Sequence, residues 1–95
     1  MKLRFAPEAV DDLARLREFI AEKNPAAAQR TARDVLLGLE KLKAFPELGL
    51  RVQRAPDPDR IRDVFIGSYV VRYLVGDQDI VVLRVWHGKE NERNA

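Results

Sequence analysis

Three β-rich runs in the last third of the chain, each closed by a glycine, constrain its fold most. Ile61 to Ile66 stops at Gly67-Ser68, Tyr69 to Val75 at Gly76-Asp77-Gln78-Asp79, and Ile80 to His87 at Gly88. Short runs of β-branched and aromatic residues joined by glycine-bearing turns predict a three-stranded antiparallel meander. Its apolar face needs a covering layer, and the first half of the chain carries the pattern to supply one.

Leu3, Arg4 and Phe5 form a short strand-like opening before Ala6-Pro7-Glu8. Proline suits the first helical turn, where its missing N–H is no loss. Glu8, Asp11 and Asp12 then put negative charge at the positive end of the helix dipole. Ala9, Leu13, Leu16 and Ile20 recur with the period of one buried helical face, and the helix should end near Lys23. Asn24 can cap and Pro25 can open a second helix, whose apolar stripe runs through Ala28, Ala32, Val35, Leu39 and Leu42. Arg30, Arg33, Asp34, Glu40, Lys41 and Lys43 take its outer positions. Gly38 inside that helix costs about 1 kcal/mol relative to alanine, which a close crossing with the first helix, or a kink, would explain. So short a linker predicts an antiparallel helical hairpin.

Phe45-Pro46-Glu47-Leu48-Gly49 ends the second helix. The loop after it, with Pro56 and Pro58 beside Asp57 and Asp59, is by composition the most mobile internal segment. The polar tail from Lys89 to Ala95 should fray. The expected fold class is α+β: an N-terminal short strand and an antiparallel helical hairpin packed on an antiparallel β-sheet, as one domain over residues 1–95.

Composition narrows the chemistry. There is no cysteine and the single histidine is His87, so disulfides and a protein-built metal site are not expected, nor is a cofactor. No apolar run approaches the roughly 20 residues of a membrane span, and the start reads straight into patterned sequence, so a cytoplasmic location is expected. A net charge of +2, from 17 basic and 15 acidic residues, is small for a protein that coats nucleic acid. No Gly-rich phosphate loop and no Ser-His-Asp spacing is present.

Strand alternation picks out candidate residues. In the last run Val81, Leu83 and Val85 share one face, expected to lie under the helices, and Ile80, Val82, Arg84 and Trp86 share the other. Arg72 shares its face with Val70 and Leu74, and Arg62 opens the first meander strand. If register follows the turns, Arg62, Arg72 and Arg84 converge on the sheet face away from the helices, with Trp86 at their edge. Arginine beside an aromatic ring suits phosphate, carboxylate or base-stacking contact. Each has a plain structural alternative: strand arginines lay solvated stems over a sheet, Trp86 can pack at a rim, and His87 can serve as a hydrogen-bonding end residue. Tyr69 and Tyr73, on the face of Val71 and Val75, read as core-lining. Phe19 and Leu37 fall off the strictest buried stripes and can leave an apolar groove for a partner's amphipathic helix, or simply widen the apolar face of the hairpin.

Several strings resemble those of RelE/ParE-superfamily toxins of bacterial toxin–antitoxin pairs: Arg4-Phe5-Ala6-Pro7-Glu8-Ala9 with Asp12-Leu13, Phe45-Pro46-Glu47-Leu48-Gly49, Tyr69-Val70-Val71-Arg72-Tyr73, and Ile80 to Val85 followed by Trp86-His87-Gly88-Lys89. The resemblance covers nearly the whole chain. RelE-like members are ribosome-dependent mRNA endonucleases using sheet lysines and arginines with a tyrosine or histidine near the C-terminus. Here the first meander strand has no lysine, Val70 follows Tyr69 where that branch often has arginine, and no tyrosine follows Gly88-Lys89-Glu90. On that alternative Arg72, Arg84 and His87 would be the catalytic set. The ParE-like branch fits better and implies a non-enzymatic poison of DNA gyrase. It also implies a ParD-like antitoxin, whose disordered segment folds over the helical hairpin and sheet edge, and no sequence-specific DNA binding by the toxin alone. Target contact is then expected at Arg62, Arg72, Arg84, Trp86 and His87, and antitoxin contact at Phe19, Leu37 and Trp86. A third reading is a toxin-fold binding module without toxicity.

Overall fold

A computed structural model describes residues 1–88. The expected fraying of Lys89 to Ala95 lies outside the described residues. The elements are β1 (Lys2–Phe5), α1 (Pro7–Lys23), α2 (Pro25–Ala44), β2 (Leu50–Arg51), β3 (Ile61–Ile66), β4 (Tyr69–Val75) and β5 (Asp79–His87). The helix ends follow local chemistry. Pro7 and Pro25 occupy first turns, and the Asn24 side chain accepts the Ala27 N–H at 3.2 Å.

The meander β3–β4–β5 is antiparallel, and Gly67 turns β3 into β4 at φ +59°, where a Cβ would be strained. Two strands extend it. β2 adds antiparallel to β3, and β1 runs parallel to β5, giving the order β1-β5-β4-β3-β2. The sheet is therefore mixed. A parallel neighbour demands a long connection, and here it runs from β1 through the helical hairpin and then β2, β3 and β4 before reaching β5.

Both helices cover one face. Ala9 and Leu16 of α1 and Val35, Leu39 and Leu42 of α2 pack on Val64, Val71, Tyr73, Ile80, Val82 and Val85. That list corrects the expected alternation in β5, which set Val81, Leu83 and Val85 under the helices. Tyr73 pairs with Val82 but Arg72 with Arg84, so Leu83 is an extra residue, a β-bulge. The bulge shifts the alternation by one position. Ile80 and Val82 face the helices before it, and Val85 faces them after it.

Gly38 also differs from expectation. Its close neighbour is β3, not α1: a Cβ built there would stand 2.5 Å from Ile66 Cδ1 and 2.8 Å from Cγ1. Helix and sheet approach here more closely than a methyl group allows.

Candidate functional site

Of the three arginines expected to converge, Arg72 and Arg84 are register partners across β4 and β5 on the face away from the helices, but each guanidinium is taken by its own carboxylate. The β3–β4 register sets Arg72 opposite Asp63 on the face away from the helices. Arg72 Nε and Nη2 donate to the two Asp63 carboxylate oxygens at 2.9 and 3.0 Å, a bidentate pair. Its guanidinium lies over the Trp86 ring, 5.1 Å from the centroid, and both residues are buried. Arg72 and Trp86 thus do meet, as the shared face implied.

Arg84 turns elsewhere. β1 pairs with β5 only as far as Val82, so the edge of β5 beyond it has no strand neighbour. There Asp12 of α1, 2% exposed, takes the edge position. Its carboxylate accepts Arg84 Nε at 2.8 Å, Arg84 Nη2 at 3.0 Å, the Val85 N–H at 2.9 Å and Arg15 Nη1 at 3.1 Å. Burial works against the ionised carboxylate. The Arg84 and Val85 hydrogen bonds and the charges of Arg84 and Arg15 outweigh it, and Asp12 ionises below the usual carboxylate range. The same hydrogen bond holds the Arg84 proton more firmly than usual.

Arg62 lies opposite Tyr73 in register, on the helix side of the sheet. Its Nη1 donates to the carbonyls of Glu47 and Gly49 at 3.3 and 3.0 Å, while its buried Nε has no hydrogen-bond partner. Tyr73 joins the same knot: its hydroxyl donates to Pro46 O and accepts from Gly49 N–H, both at 2.8 Å. Burial pushes the phenol's pKa up, against the pull of the Gly49 hydrogen bond and the Arg62 charge. The expected arginine cluster is therefore corrected at Arg62, which lies on the helix side, and in the separate carboxylate partners of Arg72 and Arg84, which do stand opposite each other in register. Arg62 is one position out of phase with Asp63, and Arg84 sits just past the bulge and binds α1.

His87 faces Tyr69 across the β4–β5 ladder, edge to face with ring centroids 5.2 Å apart. Tyr69 also lines an apolar cleft of about 160 Å³ between the two helices and the sheet. Leu13, Leu16 and Ile20 of α1 form one wall, Ala28, Ala32, Val35 and Leu36 of α2 the other, and Val85 lies with Tyr69 on the sheet side. The groove expected between the helices is present, but neither Phe19 nor Leu37 lines it. Phe19 is exposed with the Lys23 ammonium 4.6 Å over its ring, and Leu37 is exposed on α2 beside Leu36. Exposed Phe65 stands in register with Val70 and Trp86 on the opposite sheet face.

Sequence reasoning missed the carboxylates. Asp12 was assigned to the helix dipole, yet it follows Ala9 by three positions and precedes Leu16 by four, so it belongs to the buried stripe. A carboxylate there signals a buried cation, because burial without one is costly. Asp63, in the first strand with Arg62, carried a similar signal. Among the described residues no cluster of three or more His, Cys, Asp or Glu side chains could hold a metal ion, and no helix is long and apolar enough to cross a membrane. The geometry offers an apolar cleft on the helix side for macromolecular contact, while on the other face the neutralised Arg72 and Trp86 are buried against each other.

Comparison with known proteins gives four findings. Residues 3–92 match the family model described as the ParE toxin of the type II toxin–antitoxin system parDE. The protein named Toxin RelE2 of Caulobacter vibrioides is 34% identical over 80 residues, 83% of this chain and 85% of that protein. Toxin RelE3 of the same organism is 27% identical over 92 residues, covering 93% and 95%. A solved structure titled as a chromosomal ParDE TA system from P. aeruginosa superposes with a TM-score of 0.75 over 92% of this chain and 95% of that one; at 18% identity it shares the fold.

Proposed function

Because this chain belongs to the ParE toxin family of type II toxin–antitoxin systems, we propose that it is a cytoplasmic poison of DNA gyrase, silenced by a ParD-like antitoxin that folds into the cleft between α1 and α2. One observation carries the reading over its rival. Arg72 and Arg84, the cations an RNA-cleaving site would need, are each neutralised at short range by Asp63 and Asp12. A guanidinium already held by a carboxylate is poorly placed to stabilise new charge on a phosphodiester. The protein then works by contact, although Arg72 and Trp86, expected as target contacts, are themselves buried against each other. Purified antitoxin-free protein mixed with gyrase should abolish supercoiling and trap double-strand breaks. Unchanged supercoiling at saturating toxin refutes the proposal.

The names of the two Caulobacter relatives favour a second reading, a RelE-like ribosome-dependent mRNA endonuclease. In that case Arg72, Arg84 and His87, the last packed against Tyr69, carry the chemistry. His87→Ala or Arg84→Ala should then slow cleavage of mRNA in the ribosomal A site sharply. Equal cleavage by both variants and the parent removes those roles.

A further inference from the structure

The cleft between the helices has one wall residue that its apolar lining does not explain. Leu13, Leu16 and Ile20 of α1 face Val35 and Leu36 of α2, and Arg17 stands among them. Among the described residues Arg17 is the single charged side chain in that wall. It is exposed, and among the described residues it makes neither an ion pair nor a hydrogen bond. Its own helix offers it nothing: the positions three and four away are Leu13, Ala14, Ile20 and Ala21, none of them charged. By contrast, Arg15 and Arg84 are held by Asp12, and Arg72 by Asp63. The fold therefore draws no electrostatic stabilisation from Arg17.

Desolvation sets what an occupant must bring. The cleft holds about 160 Å³, the size of an apolar cavity that takes one benzene-sized group, so it seats one large side chain such as phenylalanine or leucine. The segment carrying that anchor also closes over Arg17, which lines the same walls. A guanidinium shut off from water without a counter-charge is costly, whereas a carboxylate fits its planar fork. On a helical segment, a residue three or four positions from the anchor shares its face about 5–6 Å away, within reach of Arg17 while the anchor fills the cleft. The same cation penalises any segment that offers lysine, arginine or an apolar side chain there, which is how charge confers selectivity.

We infer that Arg17 is the residue by which this toxin selects its antitoxin, through an acidic side chain set three or four positions from one large apolar anchor in the cleft. The inference rests on the reading that the antitoxin binds between α1 and α2. Its test titrates two toxin variants with the cognate antitoxin by calorimetry: Ala32→Phe, which fills the cleft, and Arg17→Glu, which reverses the charge. Both positions are exposed, so each variant should melt within about 4 °C of the parent. Ala32→Phe should bind about 100-fold more weakly and Arg17→Glu about 30-fold. Replacing the antitoxin's acidic residues by lysine, one at a time, should find one position that returns Arg17→Glu to within about 3-fold of the parent pair. A merely structural role for Arg17 would give no such rescue. If Ala32→Phe binds as the parent does, the cleft is not the seat and the inference falls with it. If Ala32→Phe loses binding while Arg17→Glu keeps it, or no lysine restores it, Arg17 selects nothing and the cleft reading stands. A parent chain that binds no antitoxin overturns that reading itself.

Discussion

Replacing Asp12 by alanine should be among the most damaging single changes in the molecule. Its carboxylate is 2% exposed and accepts from Arg84, Arg15 and the backbone N–H of Val85. Removing one member of a buried pair costs about 3–5 kcal/mol where the survivor stays dry. Arg84 keeps 18% of its side-chain surface exposed and can recover some hydration, which favours the lower end. The Val85 N–H is left with no partner at a strand edge, adding a cost of about 1 kcal/mol or more. The expected loss is about 4 kcal/mol, against a total stability on the order of 5–10 kcal/mol, or a melting point lower by about 20 °C. Asp12→Asn keeps an oxygen for Val85 and should lose about half as much. Urea unfolding of the parent, Asp12→Ala, Arg84→Ala and the double variant closes a cycle whose coupling should exceed about 1 kcal/mol. The pH dependence has a definite sign. Asp12 ionises at lower pH in the folded chain than its ordinary value of 3.8, so its stabilisation is complete above that value and fades as pH falls through the folded pKa. The parent should therefore lose more stability than Asp12→Asn between pH 5 and pH 2. A negligible cost for Asp12→Ala, or parallel acid curves for parent and Asp12→Asn, would refute the edge-clamp account.

Other positions give independent checks. Gly38→Ala gains helix propensity but sets a methyl group against the stiff β-branched Ile66, so it should lower stability by about 1 kcal/mol, measured as the urea midpoint; a gain would mean that Ile66 moves freely. Tyr73→Phe removes both hydrogen bonds that pin the α2–β2 turn and should cost about 2 kcal/mol, with hydrogen exchange at Gly49 accelerating in step. Leu37→Asp lies on an exposed helix position and should change stability by less than about 0.5 kcal/mol. If Leu37 touches the antitoxin, the same change weakens that complex by far more, as titration calorimetry with the cognate antitoxin would read.

Much of the architecture is legible where the governing chemistry is local. Pro7, Asn24 and Pro25 mark helix ends because caps and first turns are decided within a few residues, and Gly67 marks a turn because of its own φ. What stays hidden depends on distant partners. The bulge at Leu83 adds one residue without any change in composition, and it reverses the face assigned to Ile80, Val81 and Val82. The parallel seat of β1 beside β5 and the contact of Gly38 with Ile66 are also non-local. For the candidate site, the meeting of Arg72 with Trp86 follows from strand parity. The capture of Arg84 by Asp12 needs the third dimension, since α1 takes a strand edge that no periodicity announces.

That same contact orders events in time. Asp12 and its two β5 partners, Arg84 and Val85, stand 72 and 73 positions apart, and β1 pairs with the strand that contains them. Contacts of such sequence separation carry a large loop-closure cost and slow folding. The helical hairpin and the β3–β4–β5 meander are each built from near neighbours and can form early. Docking β1 and α1 onto β5 must wait until the last strand has left the ribosome. A chain folded in this order completes the sheet edge beside Trp86 and His87 last of all.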